Sequence, residues 1–355
     1  MLKEIIRKTE NRERLSFEEG LYLFKEVPTK EVGQLADRYR QLIAGDTVYY
    51  ATTLFIHPTN LCELSCPMCS YYAKPGWKNA WFMTPLQVEE KVRAHLKDQL
   101  TEIHIVGGLW RDCDLTYYEE IFTRIKSLDP NLHIKAMTPV EYDFLAKLHN
   151  IPIEDVFLRL IKVGLGSLPG GGAEVLVEKI RKQVAPQKIS SDEYLEIHQL
   201  AHRLGLPSNI TMLFGHVEEY EDLLVHMIRV RELQDKTGGF QTFVPLKYHD
   251  ENNALGKRKG RLKTKDIYKV YAISRLMIDN VPNLKVLWNY TGIETAKELL
   301  KYGVNDLSST ALGEKIITMA GGVQLQMNIE TLDVIIRQAG RIPHHVHSGF
   351  ICALA

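Results

Sequence analysis

The chain has 355 residues, 45% of them hydrophobic, enough to bury a large core; the length is short for two unrelated domains and normal for one α/β barrel. Lysine plus arginine and aspartate plus glutamate each number 44, so the formal net charge is zero. That balance excludes a chain-wide field favouring nucleic acid or an anionic membrane, and a small molecule is the expected partner.

Residues 1–48 predict helices. Val32, Leu35, Tyr39 and Leu42 recur at helical spacing, and Ser16 followed three residues later by Glu19 is a helix-start signal. These helices are expected to pack against a barrel end. The opening segment is charged, with no apolar signal core, and no run of 18 apolar residues follows, so a cytoplasmic setting without membrane insertion is expected. From residue 50 the pattern is short apolar strand, loop, amphipathic helix, repeated. Strands are expected at 53–57, 102–106, 133–137, 163–168, 209–214, 239–244 and 284–288, with a weak eighth at 306–308. Helices are expected at 85–99, 116–128, 140–149, 173–184, 192–204, 219–237, 265–279 and 293–302. Strict alternation implies a parallel sheet with right-handed crossovers, and about eight units imply an α/β fold of the (βα)8 TIM type. A six-unit partial barrel is the alternative. The expected organisation is a helical extension over 1–48, a barrel core over 49–325, and a C-terminal helix and tail over 326–355.

The loop after the first strand carries Cys62, Cys66 and Cys69 at C-x3-C-x2-C spacing. Structural zinc wants four ligands, usually with paired C-x2-C units. A cubane iron–sulfur cluster held by three cysteines instead leaves one iron open for a chelating ligand. The alternative, a zinc knuckle or three buried thiols, lacks a nearby fourth ligand, because Cys113 and Cys352 are distant in sequence and His57 precedes the loop on a strand. An odd total of five cysteines does not form a disulfide framework.

Ligands of such barrels bind at the carboxyl ends of the strands. Gly107 and Gly108 end the second strand, where bare backbone lets a ligand approach closely. After the third strand, Thr138, Pro139 and Glu141 read as a helix start, which leaves Lys135 and Glu141 as candidates for ligand contact. Gly170, Gly171 and Gly172 run out of the fourth strand, where N–H groups at a helix start would suit a carboxylate, a flexible turn being the bland alternative. Glu174 would occupy the first turn of that helix, for ligand contact or proton transfer. On the fifth strand Asn209, Thr211 and Leu213 share one face and Ile210, Met212 and Phe214 the other. His216 follows at the rim as an acid, base or structural histidine, and Lys247 and His249 end the sixth unit as possible anion partners. The basic segment 257–261 reads as a solvated loop rather than a nucleic-acid patch, and the tail histidines His344, His345 and His347 as a solvated loop, with metal binding the alternative.

The cysteine spacing, with an aromatic residue shortly after Cys69, resembles the radical S-adenosylmethionine (SAM) superfamily. The segments His104 to Leu109, His133 to Ala136, Ser167 to Glu174, Met212 to His216, Arg231 to Phe240 and Met319 to Gly322 are similar to the radical SAM enzymes of the futalosine route to menaquinone. The likeness covers roughly 10–340, and the pattern from His133 to Glu141 brings it nearest the aminofutalosine synthase family. Dehypoxanthine futalosine cyclases and the deazaflavin synthase subunit are its relatives.

The resemblance implies a [4Fe-4S] cluster on Cys62, Cys66 and Cys69 with SAM on its open iron. It implies SAM contacts at Gly107 and Gly108, though Leu109 stands where the superfamily has a Glu-like residue, and further cofactor contacts at Asn209 and Met212. Glu174 and His216 would be catalytic; Gly170, Gly171, Gly172, Lys247 and His249 would bind substrate. The implied reaction adds the 5′-deoxyadenosyl radical to the double bond of 3-[(1-carboxyvinyl)oxy]benzoate, an enol-ether benzoate. Rearrangement and decarboxylation then give 6-amino-6-deoxyfutalosine, with a reducing partner such as flavodoxin or ferredoxin. A sister enzyme abstracting hydrogen from a nucleoside is the alternative.

Overall fold

The computed structural model describes residues 1–256, 263–322 and 326–346. The basic segment at 257–261, His347 and Cys352 lie outside the described residues. Among the described residues ten strands occur in chain order: β1 Thr47–Ala51, β2 Thr53–Ile56, β3 Glu102–Ile105, β4 His133–Ala136, β5 Leu165–Ser167, β6 Ser208–Phe214, β7 Phe240–Lys247, β8 Asn283–Leu284, β9 Asp306–Ser309 and β10 Ile342–His345.

Strands β2 to β9 close a ring of eight parallel strands. Ladders join β2-β3-β4-β5 and β6-β7-β8, and parallel bridges at Leu168 and Ser208, at Lys285 and Asp306, and at Leu54 and Leu312 complete the circuit. Parallel pairing buries both faces, which is why the strands are short and mostly apolar on the side facing the helices. β1 runs into β2 with one residue between and pairs with both β9 and β10 below the ring. The complete (βα)8 barrel is therefore formed, not the six-unit alternative.

Local chemistry explains most helix starts. Ser16 with Glu19, Thr84 with Gln87, Thr138 with Glu141 and Ser190 with Glu193 each make a capping box, and Pro85 and Pro139 stand at first helical positions. The N-terminal helices pack on the outside of the barrel rather than over its end. Phe17–Lys25 lies against Tyr220–Thr237, so closely that a Cβ on Gly20 would come within 2.6 Å of Leu224, and Thr29–Ala44 lies against Thr264–Met277. Arg14 ties the same face with ion pairs to Asp235 at 2.6 Å and Asp279 at 2.9 Å.

Four expectations change. A helix at Ile153–Lys162, not anticipated, precedes β5 and shortens it. The helix expected from 173 begins only at Glu178, because Gly172 (φ +90°) and Glu174 (φ +48°) hold left-handed backbone that no helix continues. Trp288 opens a short helix, leaving β8 only two residues. The tail histidines His344 and His345 form part of β10; His345 Nε2 lies 2.9 Å from Thr52 Oγ1 and its ring stacks on Tyr50.

Candidate active site

The cysteine loop is fastened on every side by backbone groups. Thr59 and Asn60, fully buried, lead into it; Thr59 Oγ1 donates to Trp81 O (2.6 Å) and Asn60 Nδ2 to Asn79 O (2.9 Å). Lys74 Nζ then collects three successive carbonyls, those of Cys62 (2.8 Å), Glu63 (3.0 Å) and Leu64 (3.0 Å). Cys62 and Leu64 line the cavity, while Glu63 between them turns outward to Arg111 at 3.1 Å. His57 is excluded as a ligand: its Nδ1–H donates to Val106 O at 3.1 Å, its Nε2 accepts the Lys315 N–H, and burial pushes its pKa down to about 3.

Cys62, Cys66 and Cys69 are free thiols lining one cavity of about 370 Å³ at the carboxyl ends of the strands. Among the described residues no three His, Cys, Asp or Glu side chains converge closely enough to hold one metal ion. A cubane would take the three thiolates on three different irons, which three cysteines lining one cavity can supply. The sulfurs also receive backbone donors, Leu109 N–H on Cys62 Sγ and Tyr71 N–H on Cys69 Sγ, each at 3.4 Å, as cluster thiolates do. Burial pushes the Cys66 thiol up to about 11, so it would bind as a thiolate only where a cation offsets that burial.

The glycines at the strand ends are used by the chain itself. A Cβ on Gly108 would stand 2.1 Å from Leu61 O, so β3 can end against the cysteine loop only without a side chain there; Gly107 N–H donates to Glu141 Oε1 at 3.1 Å. Likewise Gly170 lies on the backbone of Ile210, where a Cβ would approach within 2.6 Å, and its carbonyl accepts the hydroxyls of Tyr194 and Thr211, both at 2.6 Å. Gly107, Gly108 and Gly170 to Gly172 all line the cavity. No helix starts at the glycine loop, so the expected row of helix-terminal N–H groups is absent.

Glu174 lines the cavity beyond that loop and pairs with Lys188 Nζ at 2.6 Å. Burial alone would raise the Glu174 carboxyl, but Lys188 outweighs it and holds the pKa below its ordinary value. Lys188, missed in the sequence, lies in the loop before Ser191–Arg203 and feels the charges of Cys66 and Cys69 as well as Glu174. Fourteen residues separate the pair, and nothing local in the sequence signals it. Glu141 is buried facing the cavity, and burial raises its pKa to about 7 against the opposing bonds from Thr138 and Gly107. Glu314, also missed, is likewise buried on the wall and raised to about 7. Its position after Gly313, at the end of the eighth strand of the ring, was the available signal.

Two expected site residues lie elsewhere. Met212 is fully buried on the outward face of β6, opposite Asn209, Thr211 and Leu213, and does not line the cavity. His216 is turned behind the strand by Gly215 (φ +95°); its Nε2–H donates to Leu213 O at 3.0 Å, and its Nδ1 lies 2.8 Å from Val217 N and 3.1 Å from Glu218 Oε2, so both ring nitrogens are engaged and the side chain does not line the cavity. Lys247 and His249 do reach the rim, where His249 Nε2 donates to Tyr290 O at 3.0 Å, and Asn209 lies lower, near the start of β6.

A closed parallel barrel with three cysteines gathered at its mouth defines the radical SAM class of enzymes. The Radical SAM superfamily model matches residues 56–228, and a CofH/MqnC C-terminal region model matches 237–349. The aminodeoxyfutalosine synthase of Thermus thermophilus is 36% identical, over 96% of this chain and 92% of its own. A 5-amino-6-(D-ribitylamino)uracil–L-tyrosine 4-hydroxyphenyl transferase of Methanosarcina mazei is also 36% identical, over 92% and 87%. The cyclic dehypoxanthine futalosine synthase of Streptomyces coelicolor is 35% identical, over 93% and 83%. Among solved structures, methylornithine synthase superposes with a TM-score of 0.76 at 14% identity, covering 96% of this chain and 97% of that one. The chain belongs to the radical SAM superfamily, in the group carrying the CofH/MqnC C-terminal region, and its cofactors are a [4Fe-4S] cluster and SAM. No helix among the described residues is long and apolar enough to cross a membrane.

Proposed function

We propose that this enzyme joins the adenosyl group of SAM to the enol-ether carbon of 3-[(1-carboxyvinyl)oxy]benzoate and, with rearrangement and loss of one carboxylate as carbon dioxide or bicarbonate, forms 6-amino-6-deoxyfutalosine for menaquinone biosynthesis. The observation that carries this reading is the polarity of the cavity along its axis. Cysteines stand at the mouth, apolar side chains such as Phe55, Leu213 and Leu246 form the wall, and in the lumen below lie the closed Lys135–Glu102 pair and Lys285, which stands 3.3 Å from Asp306. A flat aromatic substrate with a carboxylate on its remote end, directed at Lys285, suits that order. The likeness to aminodeoxyfutalosine synthases over almost the whole chain supports the same choice.

Cys62, Cys66 and Cys69 would hold the cluster, which when bound with SAM supplies the 5′-deoxyadenosyl radical. The chain's own part is positioning and exclusion. Glu174 and Lys188, an anion and a cation beside the cysteine loop, match the ammonium and carboxylate of a methionyl group, and the close packing of Gly107 and Gly108 on Thr59 and Leu61 fixes the cysteine loop against the end of β3. Glu141 accepts the backbone N–H groups of Gly107 and Thr138 on its two carboxylate oxygens and so fastens the ends of β3 and β4 to each other. Apolar walls keep water away from a reactive carbon that must meet the alkene first. A flavodoxin or ferredoxin is the expected source of the electron.

The CofH/MqnC C-terminal match favours one second reading, hydrogen abstraction from a nucleoside, as in the cyclic dehypoxanthine futalosine synthase relative. Anaerobic reconstitution with iron and sulfide, then dithionite, SAM and the enol-ether benzoate, separates the two. An adduct of adenosine with the benzoate minus one carboxylate supports the synthase. Free 5′-deoxyadenosine without adduct moves the assignment to the sister reaction.

A further inference from the structure

The lumen of a (βα)8 barrel is ordinarily filled by layers of bulky apolar side chains. Here one layer is polar. Glu102 of β3, Lys135 of β4, Asn209 of β6 and Lys285, one residue past β8, line both the large cavity and a second one of about 60 Å³ beneath it, toward the amino ends of the strands. They are the floor of the site.

The four are unequally satisfied. Lys135 Nζ and Glu102 form a short ion pair; burial alone would raise the Glu102 carboxyl, but Lys135 outweighs it and brings the pKa down to about 2, so this pair is ionised and closed. Lys285 Nζ stands 3.3 Å from Asp306 Oδ2, beyond the ~2.7–2.9 Å usual for a charge-assisted bond, while Asp306 Oδ1 accepts the Ser308 N–H at 2.8 Å. An ammonium carries three donors, so Lys285 has donors to spare on the cavity side. Asn209 is 8% exposed, and among the described residues its side-chain amide makes no hydrogen bond. Both groups face the cavity with hydrogen-bonding capacity that the chain itself leaves unused, which a ligand entering the cavity would complete.

We propose that Lys285 and Asn209 form a subsite for a carboxylate on the end of the substrate remote from the cysteines. Lys285 donates to one carboxylate oxygen and the Asn209 amide to the other, and the pair selects substrate without touching the reacting carbons. This rests on the function proposed above: the carboxylate next to the alkene must stay at the mouth, where the adenosyl carbon is delivered, so the benzoate carboxylate is the one that reaches the floor.

The test compares wild type, Lys285→Met and Asn209→Leu for equilibrium binding and product formation, using 3-[(1-carboxyvinyl)oxy]benzoate and the analogue without the ring carboxylate. Wild type is expected to prefer the benzoate at least about tenfold, and each variant to lose most of that preference, as loss of a hydrogen bond to a charged group implies. Asn209→Leu leaves every charge in place, so it decides the matter if Lys285→Met, by stranding Asp306, does not fold. Variants that keep the wild-type preference overturn the subsite. A wild type that discriminates between the two ligands yet makes no adduct supports the subsite and overturns the reaction; one that binds neither overturns both.

Discussion

Lys74 Nζ lies 2.8 Å from the carbonyl oxygen of Cys62, and the same ammonium reaches the carbonyls of Glu63 and Leu64. One side chain thus sets the turn of the first half of the cysteine loop. Lys74→Met is expected to lose about 1.5–3 kcal/mol of local stability and most of the bound iron and sulfide after reconstitution, with Lys74→Arg recovering part of it. Iron and sulfide content per chain reads this directly. Full cluster content in Lys74→Met would show that the loop holds its shape without the ammonium.

Gly108→Ala would place a methyl group 2.1 Å from Leu61 O, a backbone atom that cannot step aside alone. Overpacking of this kind costs about 1–3 kcal/mol, and here the strain falls on the residue before Cys62. A lower thermal midpoint together with reduced iron content is expected. An unchanged midpoint would mean that β3 and the loop are free to separate.

Glu141 has its pKa raised by burial from 4.5 to about 7 in the folded chain. Between those values the folded state binds more protons than the unfolded one, so this group's contribution to stability is present below about pH 4.5 and is lost as pH rises toward 7. Glu141→Gln removes that dependence. Its stability relative to wild type should therefore climb by up to about 3 kcal/mol between pH 4.5 and 7.5. Denaturant titrations across that range check the slope, and parallel curves for the two proteins would refute the burial assignment.

His216 is held between Leu213 O and Val217 N–H, outside the cavity. His216→Ala should cost about 1–3 kcal/mol of stability through the buried groups it leaves unpaired, while the folded variant keeps kcat within about threefold of wild type. A loss of kcat by a hundredfold or more, at a temperature where the variant is fully folded, would return this histidine to the chemistry.

Sequence alone determined what depends on neighbours along the chain. Strand segments of alternating or continuous apolar character, the capping boxes at Ser16 and Thr138, and the spacing of Cys62, Cys66 and Cys69 are local, so the barrel and its cysteine loop were legible before any coordinates. The polar face of β6, with Asn209 and Thr211 inward and Met212 outward, follows from the two-residue period of a strand. The position of His216 did not, because Gly215 redirects the chain by a backbone angle that no side-chain pattern announces.

Only the tertiary structure decided which distant groups meet. Glu174 finds Lys188 across an irregular loop, Lys285 finds Asp306 between neighbouring strands, and β10 pairs with β1 from the far end of the chain. It also gave the glycines their reason: Gly108 and Gly170 are bare because Leu61 and Ile210 press against them, not because a ligand must. Charge pairing and steric contact act through space over a few ångströms, and ring closure sets those distances, so residues far apart in the sequence acquire their roles only when the eighth strand of the ring returns to the first.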